Sequence, residues 1–178
     1  MEHFFNKIEG WFSFGDLYRD AVYNAKDGAV FVEVGSWKGR SAAFMAVEII
    51  NSKKKINFYC VDSWQGDISG GLKNIDVYDE FISNMKDVLY SVKIIRKLST
   101  QASKDFEDKS IDFIFIDASH DYESVLEDIR HWYPKLKEGG TIAGHDTQVS
   151  DVKKAVEEYA KEINREIFYD DHICWRYT

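Results

Sequence analysis

Asp117, His120, His145 and Asp146 are the residues of this 178-residue chain best placed to move a proton or hold a cation. Asp117 ends the apolar run IDFIFI (residues 111–116), and His120 follows within ASHDY. His145 and Asp146 come at the end of the next short strand-like run, beyond Gly139 and Gly140. A strand-end carboxylate with an imidazole nearby is what proton removal from an acceptor hydroxyl requires. His120 is then the candidate base, with Asp117 and Asp146 as its catalytic partners. Asp117, His145 and Asp146 also form a donor set suited to a divalent cation, and its oxygen content favours magnesium or manganese over structural zinc. Structural roles compete with both readings. Asp117, Ser119 or Asp121 would cap a following helix, and His145 would be a buried histidine bonded to a loop. His3, His131 and His172 stand in no such arrangement and read as surface or packing residues.

A second constellation lies earlier, in FVEVGSWKGRSAAF (residues 31–44): a strand carrying Glu33, a turn and a helix. Gly35 and Gly39 let the backbone bend and approach a ligand, and the helix start leaves N–H groups unpaired. The spacing Glu-x-Gly-x-x-x-Gly departs from the Gly-x-Gly-x-x-Gly pyrophosphate fingerprint, which disfavours a nicotinamide dinucleotide or nucleotide sugar. A carboxylate here suits a ligand with no phosphate, a sulfonium charge and an amino-acid end, the description of S-adenosylmethionine (SAM). Asp62, at the end of the next strand, would accept the ribose hydroxyls. The plainer reading is two strand-end acids bonded to loops.

For these residues to meet, their strands must end side by side. Residues 29–34, 56–61 and 111–116 are short runs rich in β-branched and aromatic residues and read as buried strands. Residues 92–95 and 141–143 are shorter candidates. Residues 166–169 and 173–177 make a final antiparallel pair, because the Asp170-Asp171 turn is too short for a crossover. Helical patterns fill the gaps at residues 41–50, 77–88, 125–132 and 152–163. Pro134 marks a helix end, with Glu138-Gly139-Gly140 as a turn into a strand. The expected fold is α/β: a Rossmann-like doubly wound sheet, mostly parallel with an antiparallel C-terminal strand, and helices on both faces. One domain over residues 1–178 is expected, with 1–27 as a helical or lid segment whose Phe4, Phe5, Trp11, Phe12 and Phe14 pack on the sheet. Residues 66–74 read as an insertion after a strand end, where ligands enter such sheets. Tyr122 and Trp132 read as core.

Composition narrows the function classes. Hydrophobic residues at 44% and charged residues at 30% describe a globular chain, and a net charge of −8 lacks the basic footprint of a nucleic-acid binder, the Lys53–Lys55 patch aside. Cys60 and Cys174 sit in apolar surroundings and read as buried free thiols, which suits a reduced, cytoplasmic setting. The amino terminus lacks a secretory pattern and no stretch reads as a membrane span.

The ordered set formed by residues 31–44, the DSW run at 62–64, IDFIFIDASHDY at 111–122 and EGGTIAGHD at 138–146 resembles the class I SAM-dependent methyltransferases. Within them it is similar to the methyltransferase-24 family, related to sugar and catechol O-methyltransferases, over roughly residues 28–160. The resemblance implies a cofactor site of Glu33, Gly35, Ser36, Gly39 and Ser41 at the methionine end, Asp62 at the ribose, Ser63 and Trp64 near the adenine, Ser99 and Gln101 closing over it, and Asp117 alongside. Many relatives carry an acid in place of Gln101. In the catechol-type relatives Asp117 and Asp146 correspond to metal carboxylates and His120 to a catalytic basic residue. Thr147 stands where an amide is usual, so His145 would replace that ligand, or no metal would bind. The implied activity is methyl transfer to a small hydroxylated acceptor. The alternatives are a small-molecule N-methyltransferase and a non-catalytic SAM-binding or regulatory protein. A nucleic-acid methyltransferase is disfavoured by charge and by the lack of an Asn-Pro-Pro-Tyr-type motif. So short a chain leaves little beyond the core fold to build an acceptor pocket, which a homodimer would complete.

Overall fold

The computed structural model describes residues 1–66, 76–170 and 172–177. Of the insertion expected at 66–74, all but Gly66 lies outside the described residues, as does Asp171 of the expected terminal turn. The elements run α1 (Gly15–Asn24), β1 (Val30–Val34), α2 (Arg40–Ser52), β2 (Asn57–Asp62), α3 (Tyr78–Met85), β3 (Val92–Arg96), α4 (Ser99–Ala102), β4 (Ile111–Ile116), α5 (Tyr122–Trp132), β5 (Leu136–Gly144), α6 (Ser150–Glu162), β6 (Ile167–Tyr169) and β7 (Trp175–Tyr177).

The strands form one sheet in the order β3-β2-β1-β4-β5-β7-β6. Pairs from β3 through β5 are parallel, while β7 pairs antiparallel with both β5 and β6. The central runs read as continuous apolar stretches because both of their faces are covered. Phe31 of β1 and Phe113 and Phe115 of β4 enter a core shared with α1, α2 and α3. Their neighbours Val32, Val34, Ile114 and Ile116 enter a second core shared with α5 and α6. That division follows from the two-residue alternation of strand side chains. Since α2 follows β1 on one face and α5 follows β4 on the other, the chain leaves these adjacent strands in opposite directions, opening a crevice at their carboxyl ends.

Two sequence expectations change. Gly139-Gly140 is not a turn before a strand: β5 begins at Leu136, directly after the 3-10 turn Tyr133–Lys135 holding Pro134. The glycines lie inside β5, where its register against β4 shifts between Ile111 and Phe113. Gly139 has φ +77, and a Cβ on Gly140 would stand 3.0 Å from the Asp112 carbonyl, so a glycine pair serves a local bulge. The amino-terminal aromatics also divide. Phe14 and Tyr18 are buried, with Phe4, Phe5 and Phe12 packed against the first core, whereas Trp11 is 85% exposed. Cys60 and Cys174 are buried free thiols. Among the described residues no helix is long and apolar enough to cross a membrane.

Candidate active site

The carboxyl ends of the central strands are stitched in a row. Gly35 donates its N–H to the Val61 carbonyl at 2.8 Å, Asp117 to Val34 at 2.8 Å and His145 to Ile116 at 3.2 Å. Above this row opens a cleft of about 1020 Å³, large enough for a nucleoside-sized ligand and a small second molecule. Gly35, Ser36, Ser41, Asp62, Ser63, Ser99, Asp117, His120, His145 and Asp146 all line it, so most of the site residues expected from sequence do converge.

Gly35 is required here by geometry. Its φ is +91, and a Cβ would fall 2.0 Å from the Asp117 carbonyl oxygen, because the β1 turn crosses directly beside the end of β4. Asp62 is held by the turns around it, its Oδ2 accepting from the Trp37 N–H at 2.8 Å and its Oδ1 from the Trp64 N–H at 2.7 Å. Burial still pushes its carboxyl above the ordinary range, against the pull of those two bonds.

Four residues expected at the cofactor do not line the cleft. Glu33 lies beneath the floor, buried, with Oε2 accepting from the Tyr18 hydroxyl at 2.8 Å. Burial pushes its carboxyl up to about 7 despite that bond. Gly39, with φ +92, faces α3 instead, where a Cβ would meet Phe81 and Met85 at 3.0 and 3.1 Å. Trp64 folds back into the core against Tyr78 and Phe81, its indole N–H donating to the Trp37 carbonyl at 2.7 Å. Gln101, in the short helix α4, is exposed and away from the lining, which Leu98, Ser99 and Thr100 supply at that point.

At the β4–β5 end, His120 Nε2 lies 2.7 Å from Asp146 Oδ2. A carboxylate only accepts, so Nε2 carries the hydrogen and Nδ1 is the basic nitrogen of the neutral ring. His145 Nδ1 lies 3.2 Å from the same oxygen, and its Nε2 lies 3.3 Å from Ser13 Oγ, which donates to the His172 carbonyl at 3.2 Å. With its one hydrogen so engaged, Ser13 must accept from His145, which makes His145 a donor at both nitrogens. Burial opposes that charge, but the Asp146 bond and nearby Asp117 outweigh it and raise the His145 pKa. Burial of Asp146 is likewise outweighed by the two imidazoles, which hold its carboxyl well below the usual range. Gln148 adds a bond to Oδ1 at 2.7 Å. Asp117, by contrast, is pushed up to about 7, first by burial and only partly offset by His145.

Asp117, His120 and Asp146 bring one donor atom each within 4.8 Å of one another, and His145 Nδ1 lies 3.9 Å from Asp117 Oδ1 and 3.2 Å from Asp146 Oδ2, so His120 joins the three residues expected from sequence. Asp146 has φ +65, a left-handed turn after β5 that aims it at the cleft, while His145 packs beside Phe14 at a ring distance of 5.1 Å. The helix cap contested among Asp117, Ser119 and Asp121 belongs to Asp121, which accepts from the Ser124 N–H at 3.0 Å.

Sequence reasoning missed Arg40, Asp128 and Gln148, all in the lining, where Trp11 of the expected helical or lid segment also stands. Arg40 donates to the carbonyls of Ile8 (3.1 Å) and Gly10 (2.8 Å), tying the amino-terminal segment to the start of α2. Its Nε, with Glu33 Oε1 and Ser36 Oγ, is buried with no hydrogen-bond partner among the described residues. Arg40 directly follows Gly39, so its helix-start position was the available signal. Asp128 reads as an ordinary polar residue of an amphipathic helix, and nothing local marks it.

Among proteins with related sequences, y4gI of Sinorhizobium fredii is 27% identical over 161 residues, which are 90% of this chain and 18% of y4gI. R132 of Acanthamoeba polyphaga mimivirus is 26% identical over 127 residues, 69% of this chain and 53% of R132. The chain thus spans less than two thirds of either relative's length. Among solved structures, the O-methyltransferase NovP superposes with TM-score 0.71 at 19% identity, covering 92% of this chain and 78% of its own. The methyltransferase PaMTH1 of Podospora anserina, in a structure with bound S-adenosylhomocysteine, gives TM-score 0.67 at 13% identity, covering 92% and 76%. Both likenesses are of fold. The family model of a methyltransferase domain matches residues 32–147, well over half of the sequence, and with that match and this sheet order the chain belongs to the methyltransferase-24 family of class I SAM-dependent methyltransferases.

Proposed function

We propose that this domain transfers a methyl group from SAM to a hydroxyl of a small acceptor, with His120 as the general base. The observation that carries the reading is the 2.7 Å contact between His120 Nε2 and Asp146 Oδ2 at the mouth of the cleft. Asp146 fixes the ring's orientation and tautomer, which makes Nδ1 the basic nitrogen that takes the hydroxyl proton. An amine acceptor brings its own lone pair and needs no such base before attack, so the dyad favours oxygen over nitrogen. NovP, an O-methyltransferase by name, shares the fold.

The residues present fit the cofactor. Ser36 Oγ, in the cleft lining, is an acceptor suited to an ammonium, and Arg40 Nε is an unmatched donor suited to a carboxylate. These are the two charges of the methionine end. Gly35 lets the ligand lie against the backbone, and Asp62, in the cleft lining at the end of β2, is the carboxylate proposed to accept the ribose hydroxyls. SAM, when bound, supplies a methyl group made electrophilic by its sulfonium. The chain's part is to hold the acceptor oxygen in line and to remove its proton.

A divalent cation is the second reading, favoured by the spacing of Asp117, His120 and Asp146. Two carboxylates and an imidazole would hold magnesium or manganese, which would lower the pKa of an acceptor hydroxyl. Against it, Asp146 already accepts from His120, His145 and Gln148. The test is calorimetry with SAM, followed by turnover of a panel of hydroxylated and amino acceptors with and without chelator. Absence of SAM binding overturns the proposal. Turnover of amines alone overturns the choice of oxygen, and turnover abolished by chelator and restored by magnesium favours the metal reading.

A further inference from the structure

Ile173, between β6 and β7, has φ +59 and is the one β-branched residue in the left-handed region among the described residues. Branching at Cβ makes that conformation costly, so it persists only where the surroundings impose it. The neighbours do so here. Asp170 Oδ1 accepts from the N–H groups of His172 and Cys174, both at 2.9 Å, and the Asp170 N–H donates to the Cys174 carbonyl at 3.1 Å. The Ile173 carbonyl accepts from the Thr147 N–H at 3.1 Å. None of these bonds uses the isoleucine side chain, and an asparagine or glycine at 173 would keep them with less strain. Core packing does not call for it either, since Ile173 is half-buried and belongs to neither hydrophobic core. What it does line is the cleft.

Position sets this residue apart from the cofactor. In the sheet, β5 and β7 lie on one side of β4, while β1, β2 and β3, whose ends lead to Gly35, Asp62 and Ser99, lie on the other. Thr147, bonded to Ile173, directly follows Asp146 of the dyad. Val149, two residues further on, is half-buried and also lines the cleft. Ser13 ties the amino-terminal rim to the same end, through His145 and the His172 carbonyl, and Trp11 stands exposed in the lining two residues before it. Three segments distant in the chain thus each bring an apolar side chain to the cleft. Apolar surface left open to water there gains free energy only when a ligand covers it.

We propose that Ile173 determines acceptor specificity: its strained backbone presents the side chain, with Val149 beside it and Trp11 at the rim, as an apolar wall next to the His120–Asp146 dyad. Acceptors whose hydroxyl sits on an apolar ring are thereby selected over polyols. The inference rests on the methyl-transfer reading given above and names the chemistry of the acceptor beyond its reacting oxygen. A polyol pressed against Ile173 and Val149 gives up hydrogen bonds to water that hydrocarbon cannot replace. A ring without those hydroxyls buries apolar area on both partners.

The experiment measures kcat and KM with SAM for two sets of probe acceptors, benzyl alcohol, catechol and 2-naphthol against methyl glucoside and myo-inositol. In the wild-type chain at least one apolar-ring compound should show kcat/KM about tenfold or more above either polyol, the gain from covering one aliphatic side chain. Ile173→Asn, which suits the left-handed backbone, should raise the KM of that compound about tenfold and leave kcat within about threefold. Its melting temperature should hold level or rise by about 2 to 4 °C as the strain is relieved. Ile173→Leu keeps the apolar surface without the branch at Cβ, and should return KM to within about threefold of wild type. Preference for the polyols, turnover of neither set, or an unchanged KM in Ile173→Asn overturns the inference. A lower melting temperature in that variant with KM unchanged assigns Ile173 to the fold alone. Each of these results leaves the cofactor reading intact, whereas failure of the wild-type chain to bind S-adenosylhomocysteine by calorimetry overturns both.

Discussion

At the scale of single residues, the site is a competition among buried acids that the surroundings resolve differently. Asp146 receives two imidazoles and an amide and stays ionised, whereas Asp117, nearby, is raised to about 7 because burial outweighs the pull of His145. The sequence shows the same residue type at both places, and only its neighbours distinguish them. If His120 is the base, His120→Ala should lower kcat by about 100-fold or more while S-adenosylhomocysteine affinity, measured by calorimetry, stays within about twofold. A drop in affinity with unchanged kcat would place His120 in ligand binding instead. Gly35 tests the backbone in the same way. Gly35→Ala puts a Cβ 2.0 Å from the Asp117 carbonyl at φ +91, so chemical denaturation should show a loss of about 2 to 4 kcal/mol. A neutral substitution would mean that β1 and β4 part more easily than their packing implies.

At the scale of elements, the amino-terminal segment is a structural part of the site as well as its rim. α1 brings Tyr18 to Glu33 and sets Phe14 against Phe115 and His145, and Arg40 holds the carbonyls of Ile8 and Gly10. Packing on the sheet and covering the cleft are therefore done by different residues of one segment, with Trp11 left exposed at the edge. Tyr18→Phe removes the hydrogen bond from the Tyr18 hydroxyl to Glu33 without changing the ring, and should destabilise the fold by about 1 to 3 kcal/mol. Thermal melts of the variant and of Glu33→Gln, singly and together, measure the coupling. Additive losses would show that the bond contributes nothing.

At the scale of the whole molecule, buried carboxylates make stability depend on pH. Glu33 and Asp128 are each raised to about 7 by burial from ordinary values of 4.5 and 3.8. Between those limits the folded chain holds protons that the unfolded chain has released, so stability falls as pH rises. The melting temperature of the unliganded protein should therefore decline from about pH 5 to about pH 8, and Asp128→Asn should flatten the decline. A profile that rises across this window, or an unchanged slope in the variant, would show that these carboxyls ionise normally. The doubly wound architecture, the strand pair at the carboxyl end and the convergence of Asp62, Asp117 and Asp146 were legible in the sequence, because alternation and strand-end placement are local patterns that a parallel sheet turns into a shared edge. By itself, the sequence determined which residues reach that edge and which class of ligand their chemistry suits. Only the tertiary structure decided that Glu33 and Trp64 face inward, that both His120 and His145 meet Asp146, and that Arg40 and Asp128 belong to the cleft. Those outcomes depend on where a side chain points after a turn and on which helix packs against it, and both are set by contacts between residues far apart in the chain.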